Sequence, residues 1–196
     1  MKYHFIVLEG THCAGKTTIA KELKSKHGFH ALRTPPENYD MLRSYMHKQA
    51  SGFSRFLFYL ASIIDTSKII ENLLKTGPVV CDRYIYSTIA ACNYDYKIEI
   101  DYLKSILGTV ISEIILPSKT FLIKVNEFER ITRLKKRGAF DTKIPLDQIN
   151  NTDITRGKEL EKIHEKYFYD PDNWIIINIS HQSINESVAN ILNHLR

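Results

Sequence analysis

Cysteine is scarce and scattered: the 196 residues hold three, Cys13, Cys81 and Cys92, with no C-x-x-C spacing and no histidine pair to complete a zinc site. That excludes a disulfide framework and a structural zinc module, and it suits a reducing cytoplasmic setting. Long apolar runs are also missing. The stretch Phe5-Ile6-Val7-Leu8 stops at Glu9, too short for a signal sequence, and no run approaches the roughly 18 apolar residues of a membrane helix. The chain therefore reads as soluble, with no membrane partner. Blocks of like charge, internal repeats and low-complexity tracts are absent, and the eight histidines show no ligand spacing. The net charge of +5 is spread along the chain, which suits phosphorylated small molecules at least as well as nucleic acid, and no nucleic-acid partner is expected.

What is present fits one compact domain over 1–196. Short apolar runs rich in Val, Ile or Phe recur at 3–8, 29–32, 79–81, 120–125 and 174–179 and read as strands. Helical patterns fill the gaps at 16–27, 53–75, 84–93, 98–116, 127–137, 155–168 and 183–195. Strands separated by helices imply a mostly parallel sheet covered on both faces, because parallel neighbours need crossover connections. The fold class is α/β. One polar, poorly periodic stretch, GAFDTKIPLDQINNTD at 138–153, follows a basic helix end and reads as a lid.

The segment GTHCAGKT at 10–17 matches G-x-x-x-x-G-K-[ST]. A chance match in a chain of this length has a probability of about one per cent. Its context is more telling: it leaves a strand-like run and enters the helical pattern TTIAKELKSKH, as a phosphate-binding loop must. Gly10 and Gly15 let the backbone turn and approach phosphate oxygens, and the helix N-terminus presents free N–H groups to the anion. Thr11, His12, Cys13, Ala14 and Thr18 complete the expected ATP-binding set. Lys16 is placed on the β- and γ-phosphates and Thr17 on Mg²⁺. The plainer alternative is a glycine turn before an ordinary helix, with Lys16 solvated. A helix N-terminus also lowers a thiol's pKa, but no base accompanies Cys13, which reads as a small loop filler.

Phosphoryl transfer also needs a carboxylate near the metal, usually at the end of a neighbouring strand. Val79-Val80-Cys81-Asp82 supplies one behind Gly77-Pro78, and Arg83 follows at once. A metal-side acid and a phosphate-side cation thus emerge together at a strand terminus, the edge where parallel sheets bind ligands. Asp82 is equally a good N-cap for the helix beginning near Tyr84, and the two roles are compatible. Glu9, beside the loop, has two readings: orienting metal-bound water, or tying down backbone. The helix 127–137 carries Arg130, Arg133, Lys135, Lys136 and Arg137, either a solvated basic end that offsets the helix dipole or a source of cations for the migrating phosphoryl group.

Taken in order, LEGTHCAGKTT, VVCDRYIYST and PSKTFLIKVNEFERITRLKKRG resemble the thymidylate kinase family of P-loop nucleoside monophosphate kinases. The resemblance implies a P-loop three-layer α/β/α sandwich with a five-stranded, mostly parallel sheet and a small lid. By position, it makes Lys16, Arg83, Arg133 and Arg137 catalytic, and Thr17 and Asp82 the metal residues. The acceptor's phosphate falls to Arg83 and Arg33, its base to Phe58 as a stacking aromatic, with Ser87 and Thr88 beside it. Arg156 is a further lid residue. Three positions depart from the family pattern: His12 replaces an acidic loop residue, Ser62 an arginine that reads the base edge, and Cys92 a glutamine. Family members commonly pair through helices such as 98–116, so a homodimer is expected, although an apolar helix face serves a core equally well.

The expected activity is ATP-dependent phosphoryl transfer to a (deoxy)nucleoside monophosphate, dTMP to dTDP by resemblance, with Mg²⁺ as cofactor. Two alternatives stand beside it. A deoxynucleoside kinase would act on a 5′-hydroxyl and need a carboxylate base, for which Glu37 is the obvious residue. A non-catalytic nucleotide-binding regulator is disfavoured by the lack of a guanine-reading Asn-Lys-x-Asp segment.

Overall fold

The computed structural model describes residues 3–140 and 151–195, apart from the side chains of 47, 137–140 and 151–154. Five strands form one sheet: β1 (Phe5–Glu9), β2 (His30–Arg33), β3 (Val79–Asp82), β4 (Lys119–Lys124) and β5 (Trp174–Asn178). Their spatial order is β2-β3-β1-β4-β5, and every pairing is parallel. Strand β1 lies between β3 and β4, so the chain's progress across the sheet reverses there. A crevice opens at such a reversal beyond the carboxyl ends of the strands.

Alternation along the strands feeds two cores. Phe5, Val7, Val79, Cys81 and Leu122 face one side and pack with Phe56, Leu60, Ile63 and Ile89. Those come from α3 (Gly52–Leu73) and α4 (Ile85–Tyr96), flanked by α5 (Ile100–Val110) and α7 (Asn151–Tyr167). Ile6, Leu8, Val80, Phe121 and Ile123 face the other side, against Ile19 and Leu23 of α1 (Lys16–His27) and Val188 and Ile191 of α8 (Ile184–Asn193). The central strands β1, β3 and β4 are buried on both faces, which is why they read as continuous apolar runs, whereas the edge strands β2 and β5 are partly open.

The strand expectations hold to within a residue or two. One helix was not foreseen, α2 (Asp40–Gln49), which follows a 3₁₀ turn at Glu37–Tyr39. Its sequence gives no buried stripe: Met41, Leu42 and Tyr45 are all exposed. Helix α6 (Glu127–Phe140) runs past its expected end at 137, and α7 starts at 151 instead of 155. The expected lid at 138–153 therefore has its ends in these two helices, and its centre, 141–150, lies outside the described residues.

Candidate active site

The segment between β1 and α1 wraps tightly at the crevice. A Cβ on Gly10, whose φ is +133°, would stand 2.3 Å from the carbonyl oxygen of Ile123, so only glycine lets the chain pass β4 here. Gly15 turns the chain into α1 with φ +101°. The Lys16 side chain folds back into the loop, donating to the carbonyls of Gly10 at 3.0 Å and Thr11 at 2.6 Å. It is 5% exposed. Burial, reinforced by the nearby Arg83 charge, pushes its pKa down to about 7 against the opposing pull of Asp82 and Glu9. An anion beside this amine would favour its charged form.

Asp82 ends β3 in register with Leu8 and Arg33 on the flanking strands. Its Oδ2 accepts a hydrogen bond from Thr17 Oγ1. The two oxygen groups expected at a metal thus meet beside the loop, a hard-oxygen donor set of the kind that suits Mg²⁺. Among the described residues no group of three or more His, Cys, Asp or Glu could hold a metal ion.

Arg83 has a φ of +68°. Its N–H bonds the Leu8 carbonyl at 3.0 Å, and its Nη1 donates to Ser87 Oγ at 3.0 Å. Of the two readings of Glu9, the structure displays the backbone one. Its carboxylate is fully buried, accepts the N–H groups of Tyr84 at 3.1 Å and Ser87 at 3.2 Å, and also accepts the Ser87 hydroxyl. Glu9 thereby satisfies the free N–H groups at the start of α4, where a negative charge is favoured. Burial alone would raise its pKa, but neighbouring His164 and Arg83 and the Ser87 hydrogen bond outweigh that and hold it below the ordinary value.

Two cavities adjoin at this edge. The smaller, about 290 Å³, follows the loop and is lined by Cys13, Gly15, Lys16, Thr17, Asp82 and Arg133, among others. The larger, about 530 Å³, extends from Gly10 between α3, α4 and α7. Arg83 and His12 line both. Arg133 approaches the loop from α6, with Nη1 donating to the Ala14 carbonyl at 3.4 Å and Nη2 to Glu129 at 3.0 Å.

Most expected residues therefore converge. Ser87 and Thr88 line the larger cavity with Arg83. The Arg137 side chain lies outside the described residues. Two expected acceptor residues stand elsewhere. Arg33 is exposed and bonds Asp40 of α2 at 2.6 Å. Phe58 packs edge-on against Tyr39 and Tyr59 and is not on the cavity wall. The wall instead carries Arg43, Arg55, Tyr59 and Tyr96, none singled out for this role from the sequence. Arg55 donates to the Tyr96 hydroxyl, and its guanidinium lies 5.1 Å from that ring's centroid. Arg156 lines the same end, in a two-point pair with Asp95 at 2.7 and 2.6 Å. Ser62 is buried and turned back onto the Tyr59 carbonyl at 2.7 Å. Glu37 is exposed on the 3₁₀ turn and lines neither cavity.

A family model described as thymidylate kinase matches residues 8–191. The chain is 30% identical over 200 residues to the probable thymidylate kinase of Methanocaldococcus jannaschii, covering 98% of this chain and 95% of that protein. It is 30% identical over 170 residues to the probable thymidylate kinase of Picrophilus torridus, covering 84% and 79%. Among solved structures it resembles thymidylate kinase from Candida albicans, with a TM-score of 0.73 at 17% identity over 99% of this chain and 91% of that one. It also resembles the enzyme from Ehrlichia chaffeensis, with a TM-score of 0.68 at 21% identity over the full length of both chains. These two likenesses show the fold.

Proposed function

The chain belongs to the thymidylate kinase family, and from that premise we propose that it transfers the γ-phosphoryl group of ATP to a deoxynucleoside monophosphate, converting dTMP to dTDP. The observation that carries the reading is the junction at Arg83 and His12, where the loop-side cleft opens into a second cavity of nucleotide size. The loop N–H groups and Lys16 take the donor's phosphates. Arg83, positioned by Ser87, takes the acceptor's monophosphate. An acceptor phosphate oxygen then attacks the γ-phosphorus in line, while Lys16 and Arg133 stabilise charge that spreads over the transferring group. Thr17 and Asp82 would hold Mg²⁺, which supplies charge neutralisation on the donor's phosphates when bound. No enzyme nucleophile is required, and the burdens on the protein are positioning and electrostatics.

The base end of the larger cavity falls to Arg55, Tyr59 and Tyr96, which supply ring faces and hydrogen-bond donors in place of Phe58 and the missing family arginine. The deoxynucleoside kinase alternative loses the base named for it, since Glu37 is exposed and off both walls; the carboxylates on the larger wall are Asp95, paired with Arg156, and Glu161. The segment 138–153 is retained as the lid, with Arg137 as a lid-side cation. A homodimer formed through 98–116 is retained too; Tyr102 and Ile111 there are exposed. A cytoplasmic location suits thiols that burial keeps protonated, with Cys92 pushed up to about 12 and Cys81 raised as well. No helix among the described residues is long and apolar enough to cross a membrane.

The test is steady-state ATP consumption with dTMP, dUMP, UMP, dCMP, CMP, dAMP, AMP, dGMP and GMP, with the free nucleosides beside them. Preference for dTMP is expected. Turnover of nucleosides alone would overturn the monophosphate reading.

A further inference from the structure

His164 of α7 is 2% exposed and lies on the wall of the acceptor cavity. Its Nδ1–H donates to the Leu160 carbonyl at 2.6 Å, which fixes the orientation of the ring. Trp174 and Phe168 flank it, their ring centroids each 6.0 Å away. Nε2 has no hydrogen-bond partner, and it faces Glu9 Oε2 at 3.6 Å, beyond hydrogen-bond length. Buried nitrogens without a partner are uncommon in folded proteins and call for a physical reason. Here the ring packs against one end of a chain of hydrogen bonds that begins at Glu9. Glu9 Oε2 also accepts the Ser87 hydroxyl, and Ser87 Oγ accepts Arg83 Nη1 at 3.0 Å. The chain therefore runs from the end of β1, through the first turn of α4, to the guanidinium shared by both cavities.

We propose that His164 is a positioning residue for the acceptor: its imidazole fixes the Glu9 carboxylate, and through Ser87 the Arg83 guanidinium, so that the seating of α7 is read at the acceptor's phosphate. The residue touches no reacting atom. It acts because a fully buried carboxylate is held by whatever packs around it, and the His164 ring packs against Oε2, while the α4 N–H groups bond Oε1. With the imidazole gone, Glu9 keeps its two N–H donors and the Ser87 hydroxyl but loses the ring packed against Oε2, and the carboxylate, with Ser87 and Arg83 behind it, gains room to turn. The larger effect falls on the acceptor side, because Lys16 is hydrogen-bonded by the Gly10 and Thr11 carbonyls, which are not members of the chain.

The inference rests on the monophosphate kinase reading, so wild-type turnover of dTMP is the first control. If the wild type turns over no monophosphate, that reading falls. If it does, three variants test the inference alone. His164→Leu is expected to raise the dTMP KM at least tenfold while the ATP KM stays within twofold. His164→Gln, which restores a polar group near Nε2, should recover most of that loss. Ser87→Ala should reproduce the rise in dTMP KM, and the double variant His164→Leu/Ser87→Ala should be clearly less impaired than the product of the two singles, as members of one network are. Equal losses toward both substrates, no difference between Gln and Leu, or strictly multiplicative effects would overturn the proposal. So would a fall in melting temperature with unchanged kinetics. If His164→Leu fails to fold, Ser87→Ala with His164→Gln decides the matter by the same KM split.

Discussion

At the residue scale, Lys16 ties structure to a measurable proton. Its pKa lies at about 7 in the free protein because burial penalises the ammonium. A bound triphosphate favours the charged form and raises that pKa, so binding above pH 7 must take up a proton. Affinity is then fully present below pH 7 and declines as pH rises, by up to about tenfold per unit until the pKa of the bound state is reached. Calorimetry at pH 8 in buffers of different ionisation enthalpy should show close to one proton taken up. Lys16→Ala should abolish both the uptake and the transfer while circular dichroism stays native. A dissociation constant that is flat from pH 7 to 9 in the wild type would mean the lysine is already charged before ATP arrives. Arg83 is predicted to act on the other substrate: Arg83→Ala should raise the acceptor KM or lower kcat, by roughly 10²-fold in kcat/KM, with ATP affinity nearly unchanged. A defect confined to ATP would displace Arg83 from the acceptor side.

At the element scale, α3 supplies Arg55 and Tyr59 to the wall of the larger cavity. A helix turns roughly 100° per residue, so Phe56, Leu60, Ile63 and Ile70 share one face, and that face is buried. Arg55, Tyr59 and Ser62 share a flank beside it, while Phe58 falls nearly opposite the core. Two turns before the buried Ser62, Arg55 offers the flank's one cation, with donors and no acceptor. We predict that Arg55→Leu lowers the preference for dTMP over dCMP by ten- to a hundredfold, because a donor reads a pyrimidine 4-carbonyl and finds no partner in a 4-amino group. Unchanged selectivity in the competition assay would sink the assignment. The same arithmetic explains what was legible beforehand. Strands buried on both faces and a loop with fixed glycines are local signals, so β1, β3, β4, Lys16, Thr17 and Asp82 could be read directly. Tyr59 was within reach of the helix period, but motif spacing pointed to Phe58 instead. Arg33 was not legible, because its partner Asp40 sits on α2, a helix whose apolar residues point to solvent and leave no periodic trace. His164 was hidden for a different reason: its meaning comes from Glu9, a contact between opposite ends of the chain.

At the scale of the whole molecule, the reversal of strand order at β1 brings two cavities to one sheet edge. Residues from β1, α1, β3, α4, α6 and α7 reach this edge, so each cavity is lined by elements far apart in sequence. Because Arg83 and His12 belong to both walls, the cavities adjoin, and we predict that a single molecule spans them. A ligand carrying adenosine at one end and thymidine at the other, joined 5′ to 5′ by a phosphate chain, should exploit this. Once its adenosine end docks, the thymidine end binds at a high effective concentration, and overall affinity exceeds that of either nucleotide by 10²-fold or more. Thermal shift should then show a larger stabilisation with the linked ligand than with ATP and dTMP together at the same concentrations. Arg83→Ala should remove much of that excess, since it cuts the hold at the junction, whereas Arg55→Leu should weaken the thymidine end alone. A linked ligand that binds no better than ATP would mean that the two cavities do not share an axis, and in-line transfer between them would have to be abandoned.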